Sequence, residues 1–264
     1  MLIYSKKRLL ERINKFNKYN NEYTDIMLKY EFDSPELKML CKKHHLERFG
    51  KKTQLATMSE IMHFVFESLS EGDDGGKMLI VTQFSSLTID KIKENSNRKL
   101  SCWVYSLYLT ECFLSIGIPA RMIRCLSGLK FDNECHCVVV AYCDEYKKNV
   151  LFDVANNTVY YSYTGEPLSL PEFRDYIINK KRIFYIQKGN HDKESLINYW
   201  VKNLSIFQSY EIQRYGNELG LPYIEKNRIL YLLPQNLKAS RKWIHSVYGL
   251  SVVVTRNQKA FWGI

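Results

Sequence analysis

Cys102, His136 and Asp153 supply a thiol, an imidazole and a carboxylate in an order that serves acyl transfer through sulfur. A cysteine attacks a carbonyl as its thiolate, and a free pKa of roughly 8.5 leaves it mostly protonated at neutral pH. A helix N-terminus and an adjacent imidazolium both lower that value. A carboxylate behind the imidazole fixes its tautomer and orientation, the third role in the logic of nucleophile, base and orienting group. The chemistry therefore needs Cys102 at the start of a helix, with the other two side chains on neighbouring elements that meet it.

The elements that would do this are legible around the three residues. The run SCWVYSLYLTECFLSI, from Ser101, is apolar on nearly every side, as a helix buried in a core is. Ser101 stands where an N-cap would, which puts Cys102 in the first helical turn, and Gly117 with Pro119 beyond it is a stop signal. Trp103 and Tyr105 are expected in the core. ARMIRCL, ECHCVVVAYC and NVLFDVA follow as three apolar or β-branched runs divided by polar turns, and are expected to be antiparallel strands. Alternation puts His136, Val138, Val140 and Tyr142 on one face and Cys135, Cys137, Val139 and Ala141 on the other. A two-residue turn at Asp144-Glu145 would set His136 directly opposite Asp153. That turn lacks the glycine a tight hairpin prefers, so a longer loop through Lys147 and Lys148 with a bulge stands beside it.

The rest of the chain gives a coarser reading. Residues 1–70 have helical spacing with breaks at Ser34-Pro35 and near Gly50, and EGDDGGK, from Glu71 to Lys77, is a loop. Thr88 to Asn95 is expected to be a short helix. GEPLSLPEFRDYI predicts a turn, then a helix capped by Ser169 with Pro171 near its start. Residues 195–215 are expected to be helical, with strands around Ile229 to Leu233 and Leu250 to Thr255.

Taken together, SCWVYSLYLTECFLSIGIPARMIRCL, ECHCVVVAYC and NVLFDVANN resemble the core of the transglutaminase-like superfamily, in particular its bacterial members. The resemblance implies a papain-like arrangement with the nucleophilic cysteine at the start of a buried helix, a Gly-Ile-Pro-Ala-Arg turn after it, and histidine and aspartate on neighbouring strands. Cys102, GIPAR at 117–121, His136 and Asp153 match in kind and order, and the likeness covers about residues 97–177. Many members read Gly-X-Cys before the helix and Asp-Pro-Thr at the acid, whereas this chain has Leu100-Ser101-Cys102 and Asp153-Val154-Ala155. That departure leaves the triad chemistry open and bears on substrate preference.

The expected fold is thus α+β: a papain-like transglutaminase core in which the helix bearing Cys102 packs on an antiparallel sheet. A helical N-terminal lead-in spans residues 1–76, the catalytic core 77–185, and a mixed C-terminal extension of helix and strand 186–264. The expected activity is that of a cysteine acyltransferase or hydrolase: a Cys102 thioester formed from a peptide or protein amide, then transfer to water or an amine. Two alternatives are amide formation from carrier-protein thioesters and a non-catalytic peptide-binding module that keeps the fold. The oxyanion would be met by the Cys102 N–H and, by analogy with papain, by the amide of Gln83.

Composition narrows the partners. Lys and Arg number 38 against 28 Asp and Glu, a formal charge of +10, but the cations are dispersed among acids rather than gathered in a patch. A peptide or protein substrate, or an acidic carrier protein, is expected, and no nucleic acid. No segment has the roughly 20 uninterrupted apolar residues of a membrane span, and the charged first residues do not read as a secretory signal, so a cytoplasmic protein is expected. Seven cysteines, an odd number in apolar surroundings, fit a reducing compartment. Cys135-His136-Cys137 invites zinc, but alternation turns the two thiols away from the ring and no C-x-x-C pair completes a set. No metal and no cofactor is expected, no EF-hand pattern is present, and the cysteines other than Cys102 are expected to be inert core thiols.

Overall fold

Every residue from Val104 to Leu114 is buried, a pattern open only to a helix enclosed on all sides. The computed structural model describes residues 5–50, 52–70, 85–94, 100–129, 134–187, 193–217, 227–237 and 250–263. The first half of the chain forms α1 (Lys6–Lys15), β1 (Lys29–Tyr30), α2 (Pro35–His44), α3 (Gln54–Ser70), α4 (Ser86–Glu94), α5 (Cys102–Ser115) and β2 (Ala120–Leu126). Next come β3 (Cys135–Cys143), β4 (Lys148–Asp153), β5 (Thr158–Tyr161), α6 (Leu170–Ile178), β6 (Phe184–Gln187) and α7 (Lys193–Lys202). The chain ends with β7 (Ile206–Tyr210), β8 (Ile212–Gln213), β9 (Arg228–Leu232), β10 (Ser251–Thr255) and α8 (Gln258–Trp262).

The fold is α+β. Eight strands make one sheet in the order β10-β9-β7-β2-β3-β4-β5-β6, antiparallel except for the parallel pair β10 and β9. Alternation along β3 and β4 divides its two faces. Val139, Ala141, Val150 and Phe152 join Val104, Tyr108 and Phe113 of α5 and the apolar stripe Met58, Ile61 and Val65 of α3 in one core. Val138, Val140 and Leu151 face a second core built from Leu9 and Ile13 of α1, Phe173 and Ile177 of α6, Trp200 and Val201 of α7, and Phe261 of α8. The sheet is therefore a middle layer, and its antiparallel centre carries α5 on one side, as the sequence predicts.

Local signals set the ends of α5. Gly117 takes φ +80, and its N–H bonds the Leu114 carbonyl at 3.0 Å while the Ile118 N–H reaches Phe113 at 2.9 Å. This pair of bonds is a Schellman stop, which needs a residue free to adopt a left-handed backbone. At the other end Ser101 has the extended backbone of an N-cap, yet its side chain makes no capping hydrogen bond. For α6 the expectation holds in full: Ser169 and Glu172 form a reciprocal capping box with Pro171 in the first turn.

Two stretches depart from the helical reading. Residues 17–28 are irregular rather than helical; Asn17, Asn20 and Asn21 are residues whose side chains compete for backbone partners, and the Asn20 N–H is taken by the Arg256 carbonyl at 2.9 Å. Residues 206–210 and 212–213 are strands: Ile206 to Gln208 pair with Leu126 to Arg124 of β2, Phe207 to Tyr210 with β9, and Ile212 and Gln213 with Lys29 and Tyr30 of β1. Periodicity in the single chain does not see such a partner. The strands near 229–233 and 250–255 lie where expected, as β9 and β10. The 71–77 loop lies outside the described residues.

Candidate active site

The turn between β3 and β4 decides whether His136 and Asp153 meet. It has four residues, Asp144 to Lys147, with Lys147 at φ +52 and Cys143 already paired with Lys148. Relative to a two-residue turn the register moves by two, so Asp153 is not directly across from His136. A shift of two preserves the face. The β3–β4 ladder ends at Val139 and Phe152, beyond which Asp153 pairs with Thr158 of β5 and the chain turns through a short 3-10 helix, Val154–Asn156. The N-terminal stretch of β3 is thus released from β4, and α5 packs against β3 and this 3-10 turn at the opening.

Within it His136 Nε2 and Asp153 Oδ1 are 3.0 Å apart, with His136 only 2% exposed and Asp153 wholly buried. Asp153 Oδ2 accepts from Asn156 Nδ2 at 2.8 Å and from the Tyr160 hydroxyl at 2.9 Å, and that hydroxyl accepts from the Trp200 indole N–H at 2.8 Å. The His136 ring is held edge to face between Tyr199 and Trp200, with centroids 5.2 and 4.8 Å away. Burial would push the Asp153 carboxyl up, but the His136 charge and the hydrogen bonds of His136, Asn156 and Tyr160 outweigh it and hold Asp153 below the ordinary carboxylate range. Burial likewise disfavours a charged His136; Asp153 and Cys102 reverse this and raise its pKa to about 10.

Cys102 is the first residue of α5 and its Sγ lies 3.9 Å from the Cys135 carbonyl oxygen, which also accepts from the Tyr199 hydroxyl at 3.0 Å. A hydrogen bond from Cys137 lowers the Cys102 thiol, burial opposes it, and His136 adds a hydrogen bond and its charge, bringing the pKa to about 4. The two groups sense one another strongly, although His136 Nδ1 is buried without a directed hydrogen bond. The site thus pairs a thiolate with an imidazolium whose far nitrogen rests on a carboxylate.

The structure brings Cys102, His136 and Asp153 together, whereas Gln83 lies outside the described residues. Sequence reasoning missed Tyr160, Asn156, Tyr199 and Trp200, which surround the pair. The Tyr199-Trp200 doublet was the available signal, but nothing local says that α7 crosses the sheet to reach β3. Among the other thiols Cys112 and Cys125 fit the inert expectation, pushed well above the ordinary value by burial. Cys135 does not: it is half-buried and drawn down to about 6 by a hydrogen bond from Cys137, against burial, with Arg124 adding its charge. Among the described residues no group of three or more His, Cys, Asp or Glu is arranged to hold a metal ion, and no helix is long and apolar enough to cross a membrane.

No protein-family model and no curated protein matches the chain. A solved structure of a candidate cysteine protease from Cytophaga hutchinsonii is similar at 16% identity and a TM-score of 0.34, over 59% of this chain and 53% of that one. The chain spans about half the length of that protein.

Proposed function

We propose that the chain is a cysteine enzyme of acyl transfer, in which Cys102 attacks the carbonyl of a peptide or protein amide and the resulting thioester passes its acyl group to water or an amine. The observation that carries this reading is the buried His136–Asp153 contact of 3.0 Å beside a helix-terminal thiol with a pKa of about 4. Cys102 Sγ bonds to the carbonyl carbon and negative charge moves to the oxygen. The Cys102 N–H, in a first turn that Ser101 does not cap, is one oxyanion donor, and the Gln83 amide is proposed as the second. His136 gives a proton to the leaving nitrogen, the C–N bond breaks and the amine departs. It then takes a proton from the incoming water or amine, whose attack on the thioester frees Cys102. Asp153 orients the ring throughout and stays ionised. The GIPAR turn and the order of the three residues support a transglutaminase-like core over residues 77–185, flanked by the segments 1–76 and 186–264.

Alkylation tests the reading without a substrate. Iodoacetamide at neutral pH is expected to modify Cys102 about tenfold or more faster than Cys41, Cys112, Cys125 or Cys143, since each unit of pKa is about a tenfold change in thiolate population. Cys41 of α2, which is partly exposed, serves as the control. His136→Ala should slow Cys102 and leave Cys41 unchanged. Equal labelling of all accessible thiols, unaffected by His136→Ala, would leave a non-catalytic peptide-binding module.

A further inference from the structure

Acyl transfer uses one thiol at the β3 opening and leaves two more beside it. Cys135 and Cys137 lie on the α5 side of β3, on the face that carries Val139 and Ala141. Cys102 Sγ approaches the Cys135 carbonyl oxygen to 3.9 Å, and the titration of both Cys102 and Cys135 is governed first by Cys137 beside them. On the far side of the cluster Arg124 Nη2 lies 3.9 Å from Cys135 Sγ. The three differ in access: Cys137 is fully buried, whereas Cys102 and Cys135 are half-buried.

We propose that Cys135 is a resolving thiol for Cys102: a peroxide oxidises Cys102, and Cys135 then closes a reversible Cys102–Cys135 disulfide that withdraws the nucleophile. The Cys102 thiolate attacks a peroxide oxygen, the O–O bond breaks, and the departing alkoxide or hydroxide takes a proton, leaving Cys102 as the sulfenic acid. The Cys135 thiolate attacks that sulfur, the S–S bond forms, the S–O bond breaks, and hydroxide leaves and is protonated to water. The two thiolates lose two electrons in all and the peroxide gains them. A dithiol reverses the step by exchange.

Two physical features select Cys135 over Cys137. Cys137 first, with the Arg124 guanidinium adding its charge, favours the thiolate of Cys135 against burial and draws it down to about 6, whereas the interactions of Cys137 with Cys102 and Cys135, together with burial, push Cys137 well above the ordinary value. Attack on a sulfenic acid needs the thiolate, so the partly accessible Cys135 is the competent partner. The inference rests on the reading of Cys102 as the reactive thiol.

Reduced full-length protein treated with one equivalent of hydrogen peroxide tests it. The intact mass should fall by that of two hydrogens, and a non-reducing peptide map should show Cys102 joined to Cys135. Alkylation of Cys102 should drop to background and return with dithiothreitol. In Cys135→Ser the disulfide should be absent and Cys102 should instead be trapped by dimedone as the sulfenic acid; Cys135→Ala provides a second, apolar replacement should the serine disturb β3. Oxidation of wild-type Cys102 to the sulfinic acid with Cys135 free, or a link to Cys137, overturns the proposal. Rapid alkylation of Cys102 without a disulfide overturns this inference alone, while slow alkylation in the untreated protein removes the functional reading beneath it.

Discussion

His136 carries the electrostatics of the site, because it is almost wholly buried and yet holds its proton up to a pH of about 10. Burial by itself would strip the charge from the ring. The charge survives because Asp153 sits 3.0 Å from Nε2 and is itself kept ionised by donors from Asn156 and Tyr160. Asp153→Asn keeps the shape of the side chain and removes its charge, so Cys102 alone opposes desolvation of the ring and the imidazolium beside it is weakened. The iodoacetamide rate of Cys102 is then expected to fall by about tenfold or more near pH 5, where a thiol with a midpoint of about 4 is ionised and one moved towards neutrality is not. The midpoint of the rate against pH should also climb from about 4 towards neutrality. Stopped-time alkylation with peptide mass spectrometry across pH reads both. An unchanged profile would mean that the thiolate is sustained by Cys137 and the helix terminus alone, which is the competing cause present at the same sulfur.

At the scale of elements, what is local was legible in the residues and what depends on a distant partner was not. The buried helix, its glycine stop, the three strands and the α6 capping box follow from composition and spacing within a few residues. The face shared by His136 and Asp153 follows from alternation, and holds for the four-residue turn as for a two-residue one because the pairing shifts by an even number. What was not legible came from distant chain: β7 inside an apparently helical stretch, and the Tyr199-Trp200 pair that α7 delivers to the ring. The GIPAR arginine shows the same limit. Arg121 reads as part of a motif, but only the sheet shows it on the central strand β2, opposite Val140, fully buried, with none of its three nitrogens hydrogen-bonded among the described residues. Its guanidinium lies 5.5 Å from the Phe261 ring of α8. A desolvated cation–π contact returns about 2 kcal/mol, less than the several kcal/mol that burying an unpaired ion costs. Arg121→Met is therefore expected to raise unfolding free energy by about 1–4 kcal/mol in urea titrations, and a loss of stability would show that the charge is compensated.

For the whole molecule, the paired charges tie folding to pH, and the signs are opposite for the two partners. Cys102 has its pKa depressed on folding, from 9.0 to about 4, so its contribution is complete above the unfolded value and is lost as pH falls through about 4. His136 is raised from 6.5 to about 10, so its contribution is complete below 6.5 and is lost as pH rises through about 10. The slopes reinforce nothing between those inner limits: from 6.5 to 9.0 the gain from Cys102 and the loss from His136 oppose one another. Stability due to the pair should therefore rise from about pH 4 to 6.5, level off, and fall above 9.0 towards about 10. Every other titrating group adds to the measured curve, so the clean quantity is the difference between the wild-type protein and Cys102→Ala, measured by urea unfolding at a series of pH values. Removing the thiol deletes the rising slope and leaves that of His136 with Asp153. The wild-type advantage should grow from about pH 4 upward, because the folded thiol has lost a proton that the unfolded one still holds, and level off before 9.0, because Cys102 also helps His136 hold its proton. A difference independent of pH would mean that Cys102 is protonated in the folded protein, and the ion pair on which the proposed chemistry depends would not exist.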